Sequence, residues 1–237
     1  DIDGLPLCSS SLQYLEDRFI HEDTINNFQL RYHKRRNAII IPVHEVDGSK
    51  VGYVQRNLVS NPRYLNSENL PVENSLYPID KFNLLDNNII LVEGMMDAVR
   101  AHQEGLTNCL STFGGEITTG QIKLIGMYTR NILLCPDKDV QGARLAESNL
   151  KKLQKFGFNV TLTRINGLAK DIAAIQGTPK LKETTSATFS IPEIETFINS
   201  FNCFEWHTFY RLTAFYKHFF CYYSLLVFKK RLLPLKQ

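Results

Sequence analysis

Four carboxylates stand where strands of this sequence should end: Glu93, Asp137, Asp139 and Asp171. Glu93 follows the apolar run Ile89-Ile-Leu-Val and precedes Gly94. Asp137 and Asp139 follow Asn131-Ile-Leu-Leu-Cys-Pro, and Asp171 comes after Asn159-Val-Thr-Leu-Thr-Arg-Ile. Two residues apart in an extended backbone, Asp137 and Asp139 point the same way. Carboxylates gathered without Lys or Arg repel one another unless a cation neutralises them. Oxygen-only donors suit Mg²⁺ or Mn²⁺, which keeps waters and substrate phosphates as its other ligands. Such ions support in-line phosphoryl or nucleotidyl transfer. The plain alternative for any one of these residues is a solvated loop or cap carboxylate.

Convergence requires elements that carry the four acids to one rim. From Asn87 onward, buried apolar runs alternate with helical periods. Strands are expected at 88–92, 109–113, 131–135 and 159–165, with helices at 95–104, 118–128 and 141–156 and a further one opening at Asp171. Alternation of this kind means βα units in one parallel sheet, whose strand carboxyl ends share one rim. Gly94 lets the chain turn beneath Glu93, Gly114-Gly115 leave a strand end open, and Gly142 permits close packing after the Asp pair. Thr118 and Gln121 have capping-box spacing.

Upstream, Ser10 to about Tyr32 reads as two short helices, the first capped by Ser10 or Ser11 with Leu12, Leu15 and Phe19 on its apolar face. His21-Glu-Asp-Thr is expected as a polar break before Ile25, Phe28 and Leu30. A hairpin follows: Ala38-Ile-Ile-Ile-Pro-Val-His, a turn at Asp47-Gly48, and a return strand at 50–54. Residues 58–82 read as an extended connection with short strands, and 177–190 as a polar linker before a short helix opened by Ser190 and Glu193.

Composition narrows the class. With 43% hydrophobic and 22% charged residues the chain has the profile of a globular protein rather than a disordered one. A formal net charge of +3 neither requires nor forbids nucleic acid, so placement matters. Between Arg18 and Arg63 eight Lys or Arg face four acids, a surplus suited to phosphate contacts or to an ordinary solvated face. Five scattered cysteines with no Cys/His cluster imply neither a zinc site nor a disulfide scaffold, and point to reduced thiols in a cytoplasm. The chain starts at Asp1 with no signal-peptide pattern, and reads as part of something longer or as a processed product.

The runs Ile89-Ile-Leu-Val-Glu-Gly-Met-Met-Asp-Ala-Val, Phe113-Gly-Gly and Pro136-Asp-Lys-Asp-x-x-Gly142 together resemble the Toprim domain of primases and topoisomerases. Tyr14-Leu-Glu-Asp-Arg, Ile39-Ile-Ile-Pro-Val, Gly52-Tyr-Val-Gln-Arg56 and Arg63-Tyr-Leu-Asn-Ser67 resemble the subdomain that precedes Toprim in DnaG-type bacterial and phage primases. Gly167-x-x-Lys170-Asp171 resembles their final acidic motif. The resemblance implies an α/β fold with a Toprim-type parallel sheet flanked by helices, preceded by a smaller α+β basic subdomain. The division expected is 1–82 for that subdomain, 83–176 for the Toprim domain, and 177–237 for a linker and tail.

Roles implied at matching positions are Glu93, Asp137 and Asp139 as catalytic metal-binding acids, with Asp171 as a further ligand of Mg²⁺ or Mn²⁺. Arg36, Arg56, Arg63, Tyr64, Asn66 and Lys170 would meet template or nucleotide. Gly94, Asp97, Gly114, Gly115 and Gly142 would support the site, Asp97 from beneath rather than as a ligand. Lys138 replaces the glycine usual between the two aspartates, and Arg36 lies two positions before the family's arginine.

Implied partners are single-stranded DNA, ribonucleotides and a replicative helicase, in the cytoplasm of a bacterium, with a phage or mobile element as another source. Primer synthesis leads. A Toprim nuclease or topoisomerase-like phosphotransferase and a non-catalytic nucleic-acid-binding Toprim module are the alternatives. Residues 201–228 hold twelve aromatics among basic residues. Stacking on single strands uses such residues, but packing or loss of a family-type ending is the stronger reading there. Lys217 and His218 interrupt an apolar run already too short to span a membrane.

Overall fold

The computed structural model of the chain describes residues 6–137, 139–165, 172 and 181–183. Two sheets organise them. The first is antiparallel, in the order β1 (Arg31–His33), β2 (Ala38–His44), β3 (Lys50–Asn57), β4 (Tyr64–Asn66). The expected hairpin is its centre. Gly48 turns with φ +82°, and the Asp47 carboxylate accepts the Ser49 N–H at 2.9 Å.

Two helices lie before this sheet, α1 (Ser9–Glu16) and α2 (Glu22–Asn27). The cap of α1 corrects the sequence reading. Cys8 occupies the N-cap, and Ser11 stands third in the helix with its hydroxyl accepting the Cys8 N–H at 2.9 Å. Leu12 is exposed, and Phe19 lies beyond the helix in the left-handed region (φ 55°), so Leu15 alone of that expected face is core. The expected polar break at His21 is instead the N-cap and first turn of α2, where Glu22 and Asp23 complement the helix dipole. The three-residue strand β1 had no alternating pattern to mark it. It exists through pairing with β2.

The second sheet runs β6 (Cys109–Ser111), β5 (Ile89–Val92), β7 (Asn131–Leu134), β8 (Asn159–Ile165), β9 (Leu181–Glu183). The first four strands are parallel, as the alternation requires; β9 pairs antiparallel with β8. That pairing puts a strand where a polar linker was expected. The helices are α3 (Met95–Gln103), α4 (Thr119–Ile125) and α5 (Val140–Lys155). The Thr118–Gln121 capping box forms as its spacing predicts, with both reciprocal bonds at 3.0 Å.

All four residues of β5 are buried, and their alternation divides the core. Ile90 and Val92 join Met95, Met96, Val99 and the upstream residues Leu15, Phe28, Ile39 and Val54 in one cluster. Ile89 and Leu91 join Leu110, Ile122, Ile132 and Leu153 in the other. Each fully buried side chain of this kind stabilises the fold by roughly 1.5–3 kcal/mol. The connection between the sheets also docks on β6, with Tyr77 and Ser111 exchanging backbone bonds. No described helix is long and apolar enough to cross a membrane. The proposed helices opening at Asp171 and Ser190, and the aromatic tail, lie outside the described residues.

Candidate functional site

Strand order decides where the acids meet. The chain passes from β5 outward to β6, then returns to place β7 on the other side of β5. The carboxyl ends of β5 and β7 therefore flank a topological switch point, where parallel sheets open a crevice. Glu93 follows β5 there, and Asp137 follows β7. One Glu93 carboxylate oxygen accepts the Asp137 N–H at 3.3 Å.

The backbone under Glu93 is pinned from two sides. Its carbonyl accepts the Ser111 hydroxyl and the Gly114 N–H, each at 2.7 Å. Gly114 makes that approach with φ +84°, and neither Gly114 nor Gly115 has a neighbour where a Cβ would stand. This agrees with an open strand end. Ser111 escaped the sequence reading because a small hydroxyl at the end of a buried run carries no distinctive signal.

Gly142 and Gly94 are demanded by space. A Cβ on Gly142 would stand 2.4 Å from the Asp137 carbonyl oxygen and 2.9 Å from a Glu93 carboxylate oxygen. A Cβ on Gly94 would collide with the carboxylate of Asp97, a buried residue in the first turn of α3. Asp97 thus sits beneath the Glu93 turn.

Asp139 has a second task. It is extended (φ −139°, ψ 175°) and forms the N-cap of α5, one carboxylate oxygen accepting the Gly142 N–H at 2.8 Å. An Asp three residues before Gly142 is a legible N-cap signal. The sequence reading started this helix one residue late at Gln141.

Among the described residues no group of three or more His, Cys, Asp or Glu side chains stands close enough to hold a metal ion by itself. Magnesium asks for no such cage, because it takes one or two carboxylates and fills its shell with water and substrate oxygens. The donor chemistry of Glu93, Asp137 and Asp139 fits that habit. Lys138, Lys170 and Asp171 lie outside the described residues.

The expected basic set is brought together only in part. Arg56 and Tyr64 are direct cross-strand partners, and the guanidinium lies 4.7 Å from the Tyr64 ring centroid. Burial pushes the Tyr64 hydroxyl above its ordinary range. The Arg56 charge opposes that rise and Asp97 adds to it, although 37% of the residue is exposed. Arg36 is exposed and donates to Gln55 at 3.3 Å. Gln55 and Arg56 are consecutive on β3 and project to opposite faces of the sheet, so Arg36 and Arg56 do not share a surface through that strand. Arg63 and Asn66 are exposed, and the Arg63 carbonyl accepts the Asn57 N–H at 2.8 Å.

Residues 90–175 match the family model described as Toprim-like. The chain is 31% identical over 140 residues to the DNA primase of Clostridium acetobutylicum, a match covering 56% of this chain and 24% of that protein. It thus spans about a quarter of the length of the curated relatives it matches. Among solved structures, a DnaG catalytic core superposes with a TM-score of 0.59 at 22% identity, covering 71% of this chain and 68% of the other. A DnaG primase catalytic domain bound to single-stranded DNA gives 0.58 at 21% identity, with 71% and 69% covered. At that identity the likeness is one of fold.

Proposed function

We propose, for a chain whose residues 90–175 are a Toprim-like domain in a fold of the DnaG primase type, that it synthesises short RNA primers on single-stranded DNA. The observation that carries this reading is the meeting of Glu93 and Asp137 at the β5–β7 switch point, with Gly142 packed against both. Carboxylates at such a rim suit nucleotidyl transfer, in which a 3′-hydroxyl attacks an α-phosphate and pyrophosphate leaves.

Glu93, Asp137 and Asp139, with Asp171, would hold Mg²⁺ or Mn²⁺. The bound ion supplies positive charge against the phosphates and lowers the pKa of an attacking hydroxyl. Glu93 is held at its carbonyl by Ser111, and its carboxylate accepts the Asp137 N–H, which sets it at the rim to accept a proton or orient a ligand. Asp139 shares its charge with the start of α5, whose dipole favours an anion there. Arg56 and Tyr64, with exposed Arg63, Asn66 and Arg36, would take template and nucleotide phosphates, and Lys170 would do so beside Asp171. The template is single-stranded DNA, the substrates are ribonucleotides, and a replicative helicase is the natural neighbour in the cytoplasm.

The test is a priming assay with a single-stranded DNA template, ribonucleotides and Mg²⁺ or Mn²⁺. Short RNA products are expected. Glu93→Gln and Asp137→Ala should each lower synthesis on the order of a thousandfold, the several kcal/mol that a metal's charge stabilisation represents. Circular dichroism should be unchanged. Full synthesis by both variants would sink the site assignment. DNA cleavage without nucleotides would replace the reading with a Toprim nuclease, and DNA binding without either activity with a non-catalytic module.

A further inference from the structure

The motif Tyr14-Leu-Glu-Asp-Arg18 has no part in the carboxylate site, yet α1 delivers it to the basic cluster. Arg56 is 7% exposed, and its Nε donates to the Tyr14 hydroxyl at 2.9 Å. Its guanidinium carbon lies 5.5 Å from the Tyr14 ring centroid and 4.7 Å from that of Tyr64. The Arg18 guanidinium lies 4.9 Å from the same Tyr14 ring. Two cations and two aromatic rings from α1, the turn after it, β3 and β4 thus form one stack.

A buried guanidinium ordinarily has a carboxylate partner, since removal from water is costly. Among the described residues Arg56 has none, and its hydrogen bond runs from Nε to a phenol. Stacking and that one bond immobilise the side chain while leaving the two Nη groups for another acceptor. A planar fork offering two parallel N–H donors matches a phosphate.

We propose that Tyr14 is a positioning residue: it holds Arg56 so that the Nη edge takes one phosphate of a single-stranded DNA backbone. The proposal rests on the nucleic-acid reading of the preceding subsection and adds to it a residue from outside the polymerase site. Tyr64 completes the clamp from the neighbouring strand. Arg18, sharing the Tyr14 ring, raises the local positive potential without being buried itself.

The experiment is fluorescence anisotropy of a labelled single-stranded DNA oligomer with the full chain, from about 50 to about 200 mM salt. Arg56→Gln and Tyr14→Leu should each weaken binding about tenfold, the scale of one charge-assisted hydrogen-bonded contact. Each should lower the slope of log affinity against log salt by about 0.7, one phosphate on a single strand. The double variant should bind no worse than Arg56→Gln alone, because both changes remove the same contact. Tyr14→Phe keeps the ring and loses the acceptor of Nε, and should fall between wild type and Tyr14→Leu.

Wild-type affinity and slope in Tyr14→Leu, with loss in Arg56→Gln, would overturn the positioning role and leave the nucleic-acid reading intact. Additive losses in the double variant would overturn it too. Should Tyr14→Leu unfold, Tyr14→Phe decides: weaker binding at an unchanged melting temperature supports the role, and wild-type binding refutes it. If the unmutated chain fails to bind single-stranded DNA, both this proposal and the functional reading fall.

Discussion

At the scale of residues, glycines carry as much of the site as the acids do. Gly142→Ala would press a methyl against the Asp137 carbonyl and the Glu93 carboxylate. The expected cost is about 1–3 kcal/mol of overpacking, borne where the two acids meet. The proposed priming activity should therefore fall about tenfold or more, with melting only a few degrees lower; a drop in melting with normal activity would contradict this. Gly94→Ala tests the other contact. Its methyl would collide with the Asp97 carboxylate, so Asp97→Ala should recover part of the lost stability in a double-mutant cycle measured by urea denaturation. Strict additivity would mean that the two do not touch. Gly94 was legible as a turn after a strand, and Gly142 as a point of close packing at the start of a helix. The atoms they make room for were not, because those atoms belong to neighbours 3 to 49 positions away in the chain.

At the scale of elements, α3 connects the two halves through its last turn. His102 on α3 donates from Nε2 to the Cys109 carbonyl at 2.8 Å, with its ring edge-on to Phe28 of the upstream subdomain. Burial, the largest cause, holds the His102 pKa below its ordinary 6.5. The unfolded chain then binds a proton more readily than the folded one between those two values. The associated stability is present above about pH 6.5 and is lost as pH falls below it. Thermal melts from pH 7 to pH 5 should therefore decline more steeply for the wild type than for His102→Gln. Parallel curves would remove His102 as a source of acid sensitivity. The helix itself was readable from its period and from Gly105 at its end. The histidine's partner depended on β6 packing beside it.

At the scale of the whole molecule, one hydrophobic cluster crosses the expected boundary at residue 82. Ile39 of β2 and Met96 of α3 belong to the same buried group. Ile39→Ala and Met96→Ala should each cost about 2–5 kcal/mol. Each should shift a single cooperative transition in circular-dichroism melting. Two separate transitions, with one substitution affecting each, would show instead that the halves are stabilised independently. A shared core also explains how α1 can act on β3: the subdomain is packed against the Toprim-like sheet through α3.

Local pattern alone determined the parallel βα succession, the hairpin at Asp47-Gly48, the Thr118 capping box and the positions of Glu93, Asp137 and Asp139 after buried strands. Burial runs, caps and turn residues are short-range signals, so they survive in the linear chain. Only the tertiary structure decided that β7 returns to the far side of β5, which brings Glu93 and Asp137 to one switch point. It also enclosed Arg56 between Tyr14 and Tyr64 and separated it from Arg36. Strand order and face depend on the packing of the entire core, where many weak contacts between distant residues are summed. No single stretch of sequence contains that sum.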